Sequence, residues 1–141
     1  MTISNDAIDL IKRFEGCKLS AYLCPAKVAT IGYGHTENVK LGDVITQQQA
    51  DELLLKDLVV FERAVNNMVI VQINDNQRGA LVSFAFNVGK TALKNSTLLK
   101  KLNNKDYIGS ANEFMRWNKV AGKPLKGLTN RRKAEKELFL K

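Results

Sequence analysis

The sequence predicts an α+β fold: a small lobe with a short antiparallel sheet, joined by a long helix to a larger helical lobe, within one domain of 141 residues. Three observations predict it. Glycine, proline and β-prone pieces concentrate in residues 16–45; an uninterrupted helical period follows over 47–68; and residues 70–141 carry shorter amphipathic stretches with caps and glycine stops. A chain this long buries roughly 68–70% of its unfolded surface. With 45% hydrophobic residues it forms a core without disulfides or metal.

The first helix runs through Ile3, Ala7, Leu10, Ile11 and Phe14, with Ser4 or Asn5 as cap and a stop near Glu15-Gly16. SAYL and VATIGY, separated by Pro25 and tight turns, then form the only expected sheet. Thr46-Gln-Gln-Gln49 reads as a capping box, and Ala50, Leu53, Leu54, Leu58, Phe61, Ala64, Val65 and Met68 mark one face of the long helix. A second box, Asn74-Asp-Asn-Gln77, opens the nearly continuous apolar run ALVSFAFNV, a central buried helix closed by Gly89. Ser96 caps TLLKKL, and Ala111, Phe114, Met115 and Trp117 mark a further helix before the loop of Gly122, Pro124 and Gly127. The last helix is expected after Thr129, with Arg131, Arg132, Lys133 and Lys136 on a solvated basic face. There is no internal repeat and no low-complexity linker.

Residues 1–70 hold seven basic and nine acidic side chains, whereas residues 71–141 hold fifteen and five. The second half therefore presents a cationic surface suited to a polyanion: nucleic acid, anionic lipid or the acidic polymers of a bacterial envelope. Two cysteines, Cys17 and Cys24, and a single histidine are too few for a disulfide framework or a four-ligand zinc site. No cofactor or metal is expected. The N-terminus lacks a basic region leading into an apolar core, and LVVF and MVIV are far too short to span a bilayer, so the chain reads as neither exported nor anchored.

Chemistry concentrates in EGCKLSAYLCPAKVATIGYGHT. Glu15 ends a helix, Cys24 follows nine residues later, Thr30 six after that, and Gly32-Tyr33-Gly34-His35 closes the stretch. Singly, these residues read as a solvated acid, a small core thiol and a strand residue. Together they resemble the phage lysozymes, or endolysins, of the T-even and lambdoid kind, glycoside hydrolase family 24. That pattern is Glu, eight residues, Asp or occasionally Cys, five residues, Thr, then Gly-x-Gly-His. The similarity continues through QRGALVSFAFNVG, STLLKKLN and GLTNRRKAEKELF, covering essentially the whole chain.

The resemblance implies a lysozyme-like fold and a muramidase cleaving the β-1,4 bond between N-acetylmuramic acid and N-acetylglucosamine in peptidoglycan. Such chemistry needs a general acid for the leaving oxygen and a group across the sugar that manages water. Glu15 is the implied acid; at neutral pH this role asks for a pKa raised from about 4.3 toward about 6 by partial burial. Arg131 is the residue the resemblance pairs with that acid, a cation that burial must outweigh.

No Asp or Glu lies between Glu15 and Glu37, so Cys24 stands where the commoner pattern has its second carboxylate. A thiol of pKa about 8.5 is mostly protonated at pH 7 and a poor base in that form; only given cationic surroundings would it become a thiolate able to orient water or attack the anomeric carbon. Thr30 both donates to and accepts from the same water. Inversion is the outcome the resemblance points to. His35 is read as structural, held by a hydrogen bond rather than acting as a base. Tyr33, Phe86 and Asn87 are candidates for lining the sugar groove, Asn87 through hydrogen bonds to N-acetyl groups; Phe86 reads equally well as core. The seven-residue spacing of Cys17 and Cys24 raises a disulfide that would silence the site if the α-carbons come within about 7 Å.

Two other functions fit parts of the chain. A wall-binding protein on the same fold without catalysis is motivated by Cys24, and a nucleic-acid-binding module by the basic second half and the run Arg131-Arg132-Lys133. The second lacks a recognisable motif, so no nucleic-acid partner is expected. The preferred reading is a monomer that accumulates in the host cytoplasm and acts on peptidoglycan at the anionic cell envelope. A separate holin, implied by the resemblance, would release it without direct contact.

Overall fold

A computed structural model describes residues 3–141. Its elements are α1 (Asn5–Glu15), β1 (Lys18–Leu23), β2 (Ala29–Gly32), α2 (Gln47–Met68), α3 (Asp75–Val88), α4 (Lys90–Lys94), α5 (Thr97–Asn103), α6 (Tyr107–Glu113), a 3-10 turn (Phe114–Arg116), β3 (Lys119–Val120), β4 (Lys123–Pro124) and α7 (Lys126–Leu140). They gather into two compact units, Ile11–Val60 and Met1–Leu10 with Phe61–Lys141. The division falls within α1 and α2 rather than at a linker. Among the described residues no helix is long and apolar enough to cross a membrane.

In the Ile11–Val60 unit, β1 and β2 form an antiparallel hairpin with Tyr22 opposite Thr30 and Leu23 opposite Ala29. The bridge between Ser20 and Val44 adds the segment that leads into α2. That helix starts where its capping box directs: the Thr46 hydroxyl accepts from the Gln49 amide at 3.1 Å, and the Gln49 side chain accepts from the Thr46 amide at 2.9 Å. Ala50, Leu54 and Leu58 face inward from it and, with Ile11 and Ile31, supply buried apolar side chains.

The larger unit is built on α3 packed against α7. Its Asn74 capping box is complete, and residues Gly79 to Ala85 are buried without interruption. Gly79 lets α1 approach closely, since a Cβ there would collide with that of Ala7. Phe84 makes edge contacts with Phe114 and Trp117 at centroid distances of 5.5 and 5.3 Å, and Phe114 reaches Phe139 at 5.6 Å. Ser96 caps α5 by accepting from the Leu99 amide at 3.1 Å.

Three expectations are corrected here. A second sheet exists, β3 with β4, whose two-residue strands are too short to leave a period in the sequence. α7 begins at Lys126 rather than after Thr129; its cap position is Leu125, in extended conformation and with no side-chain cap bond. Gly127 thus sits in the first helical turn, where a glycine read as a loop residue is tolerated. Finally, Arg131 and Arg132 do not lie on a solvated face: both are buried, together with Glu135.

Candidate active site

The residues that raised the chemical reading divide between the two units. Glu15, Cys24, Thr30, Tyr33 and His35 belong to Ile11–Val60, and Phe86, Asn87 and Arg131 to the larger unit.

Glu15 is the last residue of α1 and is half-buried. Gly16, at φ +69°, turns the chain out of the helix. The Gly32-Tyr33-Gly34 loop is closed by paired amide–carbonyl bonds of 2.9 Å between Ile31 and His35. This loop comes up to the carboxylate, and a Cβ on Gly34 would stand 3.6 Å from Glu15 Oε1. That distance is an ordinary contact, so it is the backbone, with φ at +86°, that calls for glycine at position 34.

Cys24 opens the turn of the β1–β2 hairpin. Its carbonyl accepts from the Lys27 amide at 2.7 Å and its amide donates to the Val28 carbonyl at 3.1 Å. Strand alternation puts Cys24 on the same side as Tyr22, and Tyr22 is opposite Thr30, so Cys24 and Thr30 are diagonal neighbours. Hydrogen bonding to the Val28 backbone lowers the thiol's pKa, burial opposes this, and bonds to the Ala26 backbone and the Thr30 hydroxyl lower it further. The expected cause was cationic surroundings; hydrogen bonds of the turn do this instead. Thr30 is buried and its hydroxyl donates to the Val28 carbonyl at 2.9 Å. That bond uses its one proton and leaves the hydroxyl's lone pairs as acceptors.

His35 places Nδ1 2.8 Å from an Asp57 carboxylate oxygen and Nε2 3.0 Å from the Glu37 carbonyl. These contacts hold the loop against α2, as the structural reading expected. Tyr33 is buried as well. Its hydroxyl accepts from Gln47 Nε2 at 3.1 Å, Lys12 lies 5.9 Å from its ring centre, and burial pushes its phenol pKa up. Its ring is thus largely engaged in packing.

Cys17 and Cys24 are both free. They bracket β1, and seven residues at strand rise span on the order of 20 Å, against the roughly 7 Å a disulfide allows. The bond that their spacing raised is incompatible with this hairpin.

In the larger unit Phe86 is half-buried and meets Phe61 edge-on at 5.2 Å. Asn87 is exposed and accepts from Arg132 Nη2 at 2.7 Å. Arg131 Nε lies 3.3 Å from Glu135 Oε2, and its Nη2 donates to the Ser83 carbonyl at 3.1 Å. Glu135 also faces Arg132 Nε at 2.8 Å and accepts from the Ser83 hydroxyl at 2.6 Å. Burial pushes its carboxyl pKa up, against the pull of Arg132, Arg131 and Ser83. Sequence reasoning missed Glu135, although its spacing of three and four from the two arginines carried the signal. Among the described residues no group of three or more His, Cys, Asp or Glu side chains is placed to hold a metal ion.

The profile of one family, phage lysozyme, matches residues 12–135. An endolysin of Acyrthosiphon pisum secondary endosymbiont phage 1 is 50% identical over 143 residues, covering 99% of this chain and 98% of the relative. An endolysin of Bacillus phage B103 is 46% identical, and there the chain spans about half of the relative, 54% of its length. Among solved structures, the muramidase domain of SpmX from Asticaccaulis excentricus superposes with a TM-score of 0.93 at 38% identity, covering 99% of this chain and 97% of that one.

Proposed function

Because this chain belongs to the phage lysozyme family and is a glycoside hydrolase of the muramidase type, we propose that it lyses bacteria by cleaving the β-1,4 bond between N-acetylmuramic acid and N-acetylglucosamine, with Glu15 as general acid. The observation that supports this assignment of roles is the placement of Cys24 and Thr30 as diagonal neighbours across the β1–β2 hairpin, in the same compact unit as Glu15, where no second carboxylate follows the acid before Glu37.

Glu15 gives its proton to the bridging oxygen as the bond to the anomeric carbon breaks. A water accepted by a Thr30 lone pair adds its oxygen to that carbon from the opposite side and passes a proton to the Cys24 thiolate. Exchange with solvent returns one proton to Glu15 and removes one from Cys24. Attack opposite the leaving group inverts the anomeric centre. A thiol pKa lowered by hydrogen bonds within the turn supports this role because it favours the charged form without a neighbouring cation. Arg131 is the proposed partner of the Glu15 carboxylate, a role that rests on the family likeness. Phe86 and Asn87, with a smaller part for buried Tyr33, contact the glycan.

The enzyme is proposed to act as a monomer, made in the host cytoplasm and released to the wall by a separate holin, with the anionic envelope as its other partner and no nucleic acid. Incubation with purified peptidoglycan, followed by assay of new reducing ends, tests the reading. Glu15→Gln should lose on the order of 10²–10⁴-fold in turnover. Cys24→Asp should stay active and Cys24→Ala should not. Binding to the wall with no reducing ends from the unaltered protein would establish a non-catalytic wall binder instead.

A further inference from the structure

We infer that Arg132 is a positioning residue that fixes the side-chain amide of Asn87, so that this exposed position turns its Nδ2 donors toward the peptidoglycan strand. The inference deepens the muramidase reading and rests on it for the identity of the ligand.

Arg132 is fully buried yet hydrogen-bonds an exposed residue. Its Nε faces Glu135 Oε1 at 2.8 Å, its guanidinium carbon sits 5.0 Å from the Phe84 ring centre, and its Nη2 is 2.7 Å from Asn87 Oδ1. Glu135 is held in turn by the Ser83 hydroxyl at 2.6 Å and by Arg131 Nε at 3.3 Å. Every group in this chain is fixed by two partners before the surface is reached.

The chemistry of a guanidinium decides the rest. It has five N–H donors and no acceptor, so the amide must turn its oxygen inward. A free asparagine on a surface presents a donor or an acceptor as the ligand requires. Here the choice has been made by the core, and the two Nδ2 protons point away from Arg132 at an exposed residue. The matching ligand group is an oxygen acceptor. On peptidoglycan this is either the acetamido carbonyl carried by each sugar or a carboxylate of the stem peptide.

Asn87→Asp separates this role from a structural one. The variant keeps an acceptor for Arg132, and so keeps the fold, but replaces the outward donors with a carboxylate oxygen. We expect an unchanged or higher melting temperature together with a dissociation constant for purified sacculi weakened by about tenfold. Asn112→Asp, the same change of charge at another exposed position of this unit, should leave binding within twofold. Arg132→Lys should also weaken binding, and should add nothing further when combined with Asn87→Asp.

Glycan strands stripped of peptide by an amidase identify the acceptor. Weakening by Asn87→Asp on both substrates assigns the acetamido oxygen, and weakening on intact sacculi alone assigns the peptide carboxylate. Equal binding by the Asn87→Asp variant and the unaltered protein overturns the inference, as does equal weakening by Asn112→Asp. Because the readout is cosedimentation rather than turnover, absence of new reducing ends would count against the muramidase reading and leave this one to be decided by binding.

Discussion

Cys24 shows how far a single residue can be read before its surroundings are known. Its spacing from Glu15 and Thr30 was visible in the sequence, and so was the lack of a second carboxylate. The cause of its lowered pKa was not visible, because the Val28 and Ala26 backbone and the Thr30 hydroxyl reach the sulfur only once the hairpin turn has closed. Alkylation by iodoacetamide as a function of pH should show Cys24 reacting with a midpoint below the ordinary thiol value of about 8.5. Thr30→Val removes one of the bonds that favour the thiolate, so the midpoint should move up and turnover should fall while the melting temperature changes little. The sign follows from the direction: a thiolate favoured by folding has its charged form present at lower pH than a free cysteine does. The same hairpin forbids a bond between the two thiols, so air-oxidised folded protein should still titrate two free thiols by mass spectrometry after alkylation. Recovery of a Cys17–Cys24 disulfide with β1 intact would contradict the structure.

Among the elements, those with two agreeing signals were legible and those resting on one were not. α2 combines a reciprocal capping box with a sustained apolar face, and the expected range of 47–68 is the one observed. α7 has a helical period but neither a capping side chain nor a first-turn acid, and its start was misplaced by the glycine at 127. The same helix was misjudged in polarity. A run of Arg131, Arg132 and Lys133 reads as solvated, yet Glu135 draws the two arginines into the core where only a carboxylate can balance them. Glu135→Gln should therefore destabilise the protein by about 3–5 kcal/mol in denaturant unfolding, because it removes a buried countercharge that both arginines face. Gly79→Ala, on the opposite partner helix α3, should cost about 1–3 kcal/mol by forcing α1 away from Ala7. A neutral effect at Gly79 would show that α1 yields easily.

For the molecule as a whole, charge is distributed by unit rather than spread over the surface. Ile11–Val60 carries six basic and six acidic residues, whereas the rest of the chain carries sixteen and eight, so the entire net charge of +8 belongs to the larger unit. No acidic residue interrupts Glu113 to Glu135, and Lys119, Lys123 and Lys126 stand exposed on and beside the β3–β4 hairpin within that interval. The residues proposed to transfer protons therefore sit in an electrically balanced unit, and the charge that would draw the protein to an anionic wall is carried by the other. Such attraction acts on the rate of encounter and is screened once salt shortens the Debye length to about 10 Å at 0.1 M. Replacing Lys119, Lys123 and Lys126 together with glutamine should slow association with sacculi about tenfold at low ionic strength and flatten its dependence on salt. The same change at Lys18, Lys27 and Lys40, exposed on the balanced unit, should lower association less, because it leaves the cationic unit untouched. Stopped-flow light scattering with sacculi across a salt series reads both effects, and equal slopes for the two triple variants would mean that the wall responds to total charge and not to where the chain carries it.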